Sequence, residues 1–292
     1  LLRTLNSLKK NDLSIKSDIY FFCDGPKNKN KSELKKINTI KKIIRNLKGF
    51  KKINFTFNKK NIGLKKNILN GITQILKKNK DVIVLEDDII VSKFFLEYMN
   101  QSLNFYKNKK KVWHVSGWNY NLKLKNIKQK DENTFFIKNM NCWGWATWSD
   151  RWKKIIIDPD FIIKKMNNKK IHDFNLSNVL NNWSQLIRNK EKQLDTWAIF
   201  WNATIFLNNG LCLNPTISMT KNIGLDGSGV NSSVEPLDKK EFSKSNSFLF
   251  SKKIKENINL RNEIIRHMKI KNKKNRLKDL KNKFLSTFGV CK

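Results

Sequence analysis

Through the first 120 residues of this chain, short apolar runs of strand length alternate with longer stretches of helical period. That alternation restricts the fold more than any other feature. The apolar runs are IYFFC at 19–23, INFTF at 53–57, VIVL at 82–85 and VWHVS at 112–116. Between them, Leu1, Leu2, Leu5 and Leu8 share a helical face, as do Ile37, Ile40, Ile44 and Leu47 within 33–47. Residues 64–78 carry a third stripe, and a fourth helix is expected over about 93–106. Strands joined by amphipathic helices predict an α/β fold with a mostly parallel central sheet flanked by helices. Ligands of such sheets sit beyond the carboxyl ends of the strands. Asp24, Asn61-Ile62-Gly63 and Glu86-Asp87-Asp88 all follow apolar runs in that way.

Charge is the feature that argues against an enzyme. The chain has 60 Lys and Arg against 24 Asp and Glu, for a net +36 over 292 residues, a balance typical of nucleic-acid or membrane binders. Only seven of the cations are Arg, however, and phosphate is more often gripped by the planar guanidinium fork. Lys, Asn and Ile are over-used together, which fits coding bias on a solvated surface and weighs against a nucleic-acid partner. The four cysteines, Cys23, Cys142, Cys212 and Cys291, are widely spaced, with neither a C-x-x-C pair nor a nearby histidine. This excludes a zinc finger and fits a reducing, cytoplasmic compartment. His114, His172 and His267 are isolated and read as packing or surface residues.

Against this background Glu86-Asp87-Asp88 is a local reversal of sign. Three successive carboxylates repel one another unless a cation relieves them. Hard divalent ions prefer such oxygens and commonly share their shell with a substrate's phosphates. The plainer reading is a solvated turn whose acids favour the amino end of the following helix.

The string DVIVLEDDIIVSKFFLEYMN at 81–100 resembles the Asp-x-Asp metal-binding region of GT-A glycosyltransferases. It is most similar to the N-acetylglucosaminyltransferase I-like group and its bacterial relatives. The resemblance continues, in order, through VSGWNYN at 115–121, CWGWATWSDRW at 142–152, and 195–231. It implies a GT-A fold and transfer of a sugar from a nucleotide diphosphate donor, UDP-linked, with Mn²⁺ or Mg²⁺. The acceptor would be a glycan or a lipid-linked glycan, as in polysaccharide biosynthesis. The family's first strand has no counterpart ahead of Leu1, so the chain is expected to be a fragment.

By that resemblance Asp88 is the metal ligand, and Glu86 and Asp87 contact the donor's sugar and ribose. Asp24 pairs with the uracil ring, and Asn61 and Gly63 lie against the nucleotide. Trp143, Gly144 and Trp145 floor the sugar site, whereas Trp148 and Trp152 read as core. The loop from Gly224 to Asn231, with Gly227, Ser228 and Gly229, closes over the donor; a plain surface turn is the other reading. Asp195 is similar to the catalytic base, which takes a proton from the acceptor hydroxyl. Its other reading is the N-cap of a helix over 195–208.

Two segments are expected: a glycosyltransferase domain over 1–235 and a basic helical extension over 236–292, whose amphipathic pattern suits either an anionic membrane's inner face or packing on the domain. Three rivals remain. A nucleotidyltransferase of related fold needs a glycine-rich loop after its first strand, which is absent here. The others are a basic nucleic-acid-binding protein and a glycan-binding relative without catalysis.

Overall fold

The computed structural model describes residues 1–28, 30–120, 122, 133–225, 242–243 and 246–287. The first half follows the alternation read from the sequence. Helix α1 (Leu2–Leu8) leads to β1 (Asp18–Cys23), α2 (Lys31–Arg45), β2 (Lys52–Phe57), α3 (Leu64–Leu76) and β3 (Asp81–Val84). A three-residue strand, β4 (Ile89–Val91), precedes α4 (Phe95–Tyr106) and β5 (Val112–Ser116).

The second half is less regular. It contains β6 (Thr134–Ile137), β7 (Trp145–Trp148), α5 (Ser149–Trp152), α6 (Pro159–Lys164), α7 (Asn168–Phe174), α8 (Asn182–Lys190) and α9 (Ala198–Leu207). Strands β8 (Leu211–Pro215) and β9 (Thr220–Asn222) and the long α10 (Ile258–Thr287) complete it.

The expectation of a mostly parallel sheet is corrected. The five-stranded sheet has the order β3-β7-β5-β8-β6 and is mixed. Only β5 and β8 pair in parallel; β3 with β7, β5 with β7, and β6 with β8 are antiparallel. Strands β1 and β2 form a separate parallel pair, and β4 with β9 a short antiparallel one. The physical reason is local. Helical crossovers enforce parallel pairing, and α2 supplies one between β1 and β2. The WATW strand β7 instead enters between β3 and β5 from the opposite direction. All four of its residues are buried, so it carries no polar alternation to mark it as a strand.

These registers bring the ends of distant segments together. Cys23 is level with Phe57, so Asp24 meets the loop that follows β2. Val84 is level with Trp145, which sets Leu85 and Glu86 beside Gly144 and Trp143. Ile89 is level with Asn222, which sets Asp88 beside Ile223 and Gly224.

Helix α3 packs on both β1 and β3 and so ties the two-stranded pair to the larger sheet. One core cluster joins α4 (Phe95, Met99, Leu103, Tyr106) to Val112, Val115, Ala146 and Leu213 of the sheet. A second gathers Trp113, Trp145, Trp152, Trp197 and Trp201 with Ile72 and Leu76 of α3. Burying each such ring contributes roughly 2–3 kcal/mol on area alone.

Arg151 is 3% exposed and closes the end of α4. Its guanidinium donates to the carbonyls of Tyr106, Lys107, Lys109 and Val112, pairs with Asp150 at 2.7 Å, and lies 4.4 Å over the Trp148 ring.

The segment before α10 returns to the sheet. Phe248, Phe250 and Ile254 pack on the first core cluster, and the Tyr106 hydroxyl donates to the Ser251 carbonyl at 3.0 Å. Leu260, Ile264 and Ile265 of α10 are buried with Phe135, Ile137, Leu176 and Val179. The 235/236 boundary lies outside the described residues. Among the described residues, no helix is long and apolar enough to cross a membrane.

Candidate active site

The site forms where the carboxyl ends of β1, β2 and β3 meet the loops at 142–144, 195–197 and 222–224. Asp24 organises one wall. Its Oδ1 accepts the backbone N–H groups of Gly25 and Ile62, and its Oδ2 accepts that of Gly63, all at 2.9 Å. The Asn58 amide reaches Oδ1 at 3.4 Å, and the Asn61 amide donates to the Gly25 carbonyl. Asp24 therefore folds the 58–63 loop around its carboxylate. Gly63 sits at φ +83°, the left-handed region where a side chain is strained, and is the N-cap of α3.

The acidic triplet leaves β3 at the centre. Glu86 is mostly buried, and burial pushes its carboxyl up to about 7, with the charges of Asp88 and Asp87 adding to the effect. Asp87 is exposed, and its carbonyl accepts the Thr4 hydroxyl at 2.7 Å. Its charge also reaches Cys23, whose thiol is pushed up to about 11, chiefly by burial. Asp88 is half-buried and raised by burial first and by Asp87 second, while the Asn222 side chain hydrogen-bonds it and opposes that rise. The Ile223 N–H donates to the Asp88 carbonyl at 2.9 Å, which pins the strand end to β9.

One oxygen of Asp88, Oδ1, is buried and has no hydrogen-bond partner among the described residues. A buried carboxylate oxygen without a partner, following two further acids in the chain, is chemically suited to a hard cation. Among the described residues no group of three or more His, Cys, Asp or Glu converges into a metal cage. One such oxygen can supply part of an ion's shell, not the whole of it.

Gly224 closes over this acid. An ideal Cβ there would lie 2.3 Å from Asp88 Oδ2 and 2.9 Å from its Cβ, so any side chain displaces the carboxylate. The Gly224 N–H is held by Asn222 Oδ1 at 2.7 Å. Gly227, Ser228 and Gly229, expected in the closing loop, lie outside the described residues.

On the other side, Trp143 is partly exposed, and its ring meets Trp118 edge-on at 4.9 Å. Its backbone is fixed by the Thr220 hydroxyl on its carbonyl, at 2.6 Å, and by the Asn141 side chain on its N–H, at 2.9 Å. Gly144 is buried at φ +77° beside Leu85 and Thr220.

Trp145 corrects the sequence reading. It is 0% exposed, stacked between His114 at 5.1 Å and Trp197 at 5.3 Å. Both faces of β7 are covered, so Trp145 belongs to the core and presents no surface to a ligand. His114 is buried and held neutral: its Nδ1 accepts the Trp201 indole N–H, its Nε2 donates to the Asn141 carbonyl, and burial drives it down to about 3.

Asp195 is not a helix cap. Helix α9 starts at Ala198, its N-cap is Trp197, and no side chain caps it. The Asp195 carboxylate is instead 70% exposed, with Oδ1 3.5 Å from Lys65 Nζ. It stands over the 61–63 loop: a Cβ on Gly63 would be 3.8 Å from its Oδ2. Lys65 and Asn222 had no signal in the sequence, since each belongs to a residue type that is abundant throughout. Gly224 had one, the glycine cluster of NIGLDGSG.

Two comparisons with known proteins bear on this arrangement. Residues 31–161 match the family model described as the GNT-I family. No curated protein matches the chain. The matched segment contains Glu86-Asp87-Asp88 and Trp143, and ends before Asp195 and Gly224.

Proposed function

We propose, from the match of residues 31–161 to the GNT-I family model, that this chain is a glycosyltransferase of the GT-A type. It moves a sugar, with inversion, from a UDP-linked donor to a glycan or lipid-linked acceptor. The observation that carries this reading is the orphaned Oδ1 of Asp88, between β3 and β4; the charge of the adjacent Asp87 reaches Cys23, next to the Asp24 that holds a second loop.

In this reading Asp88 holds Mn²⁺ or Mg²⁺, with Glu86 and Asp87 beside it. The ion's chemistry is to neutralise the charge that gathers on the departing diphosphate. Asp24, Asn61 and Gly63 bind the nucleotide end, through the remaining acceptor capacity of the carboxylate and the edge of the loop. Trp143 packs against the sugar, where an aromatic face covers its C–H groups while polar neighbours take the hydroxyls.

Exposed and unused by any helix cap, Asp195 accepts the proton of the attacking hydroxyl. The acceptor oxygen forms its bond to the anomeric carbon as the bond to the diphosphate breaks, on opposite faces. Gly224, having no side chain, leaves the Asp88 carboxylate undisplaced.

Calorimetric titration of UDP, with and without Mn²⁺, tests the assignments. Wild type and Asp195→Asn are expected to bind UDP far more tightly with Mn²⁺ than without it, and Asp88→Asn is expected to lose that dependence. Equal metal dependence in Asp88→Asn would contradict the ligand assignment. Loss of UDP binding in Asp195→Asn would make that residue structural.

A further inference from the structure

Lys65 is one of 60 cationic residues and stands in none of the motifs, yet its surroundings differ from those of a surface lysine. It lies in the first turn of α3, two residues beyond Gly63, and its side chain is only 22% exposed. Its ammonium group sits 4.3 Å from the centre of the Phe200 ring on α9 and 3.5 Å from Asp195 Oδ1. Among the described residues it is the one cation within 4 Å of Asp195. The ring fixes the lysine from one side, through the attraction of a cation to an aromatic face. The lysine in turn fixes a carboxylate that is otherwise open to water.

The same turn of α3 is anchored from below. Asp24 accepts the Ile62 and Gly63 N–H groups, so the backbone that carries Lys65 is the backbone that walls the nucleotide end of the site. A path of direct contacts therefore runs from Asp24 through Gly63 and Lys65 to Asp195. We infer that Lys65 is a positioning residue, holding Asp195 in place and tying it to the nucleotide-binding loop. This rests on the reading of Asp195 as the base. Lys65 engages Oδ1, which leaves Oδ2, on the Gly63 side, to receive the proton. A carboxylate free to swing would lose the alignment on which proton transfer depends, and small misplacements of such groups cost large factors in rate.

The test uses UDP-N-acetylglucosamine with Mn²⁺ and water as the attacking hydroxyl. Water forms a bond to the anomeric carbon, UDP departs with the broken bond's electrons, and the water proton passes to Asp195. Lys65→Met keeps the stem over Phe200 and removes the charge. It is expected to lower kcat about fivefold to tenfold, with KM for the donor unchanged and Lys65→Arg recovering most of the rate. In an Asp195→Asn background, Lys65→Met is expected to have no further effect, because the group it positions is gone.

A raised KM with kcat intact would overturn the inference and make Lys65 a donor ligand. An equal loss in the Asp195→Asn background would also overturn it. Wild-type kinetics for Lys65→Met beside an inactive Asp195→Asn would reject Lys65 and leave the base assignment standing. Wild-type turnover by Asp195→Asn would remove both. Thermal unfolding of each variant separates these outcomes from misfolding.

Discussion

At the residue scale, the site depends on atoms that have no room for alternatives. Gly224 is the plainest case, because any Cβ there collides with the Asp88 carboxylate. Gly224→Ala is expected to lower metal-dependent UDP affinity about tenfold, with an overpacking cost to the unfolding free energy of about 1–3 kcal/mol. Calorimetry and urea unfolding on the same preparation check both halves.

His114 makes the opposite kind of prediction, about stability rather than binding. Burial lowers its folded value to about 3, while an unfolded histidine titrates near 6.5. The unfolded chain therefore takes up the proton first as pH falls. The stabilisation is complete above about 6.5 and is lost progressively toward 3. By pH 5 the loss from this group alone is about 2 kcal/mol. Urea unfolding at pH 7.5 and 5 should show wild type losing that much more than His114→Gln; equal losses would mean that His114 does not titrate on unfolding.

At the element scale, Arg151 holds the end of α4 against β5 by satisfying four carbonyls with one buried guanidinium. Arg151→Met leaves them unpaired and is expected to cost about 2–4 kcal/mol. The measurement is a shifted urea midpoint, with metal-dependent UDP binding preserved.

Elements also decide what could be read in advance. Helices α1 to α4 follow from their repeating apolar stripes, and β1, β2, β3 and β5 from apolar runs set between those helices. Strands β4, β6, β7 and β9 have three or four residues each, too few for a period, and the WATW of β7 hides as an aromatic cluster. The antiparallel entry of β7 was invisible for the same reason, and with it the burial of Trp145. Asp24, Glu86, Asp87 and Asp88 stood out because acids ending apolar strands are rare in so basic a chain. Lys65 was illegible because its significance lies entirely in Phe200 and Asp195, 135 and 130 residues further along.

At the scale of the whole molecule, the family match and the fold complement each other. The matched segment ends at residue 161, so Asp195 and Gly224 lie beyond it in sequence. The chain then returns both to the same end of the sheet: Gly224 against Asp88, and Asp195 beside Gly63 and Lys65. The net +36 is the background on which this acidic centre stands, and such a field favours the approach of anions in general.

A chain that transfers sugar from a nucleotide diphosphate must consume such a donor. Incubated with UDP-N-acetylglucosamine and Mn²⁺, the wild-type chain is predicted to release UDP and free sugar of inverted anomeric configuration, followed by NMR. Asp88→Asn and Asp195→Asn are predicted to release neither at a comparable rate. Release with retained configuration, or equal release by all three proteins, would contradict the account.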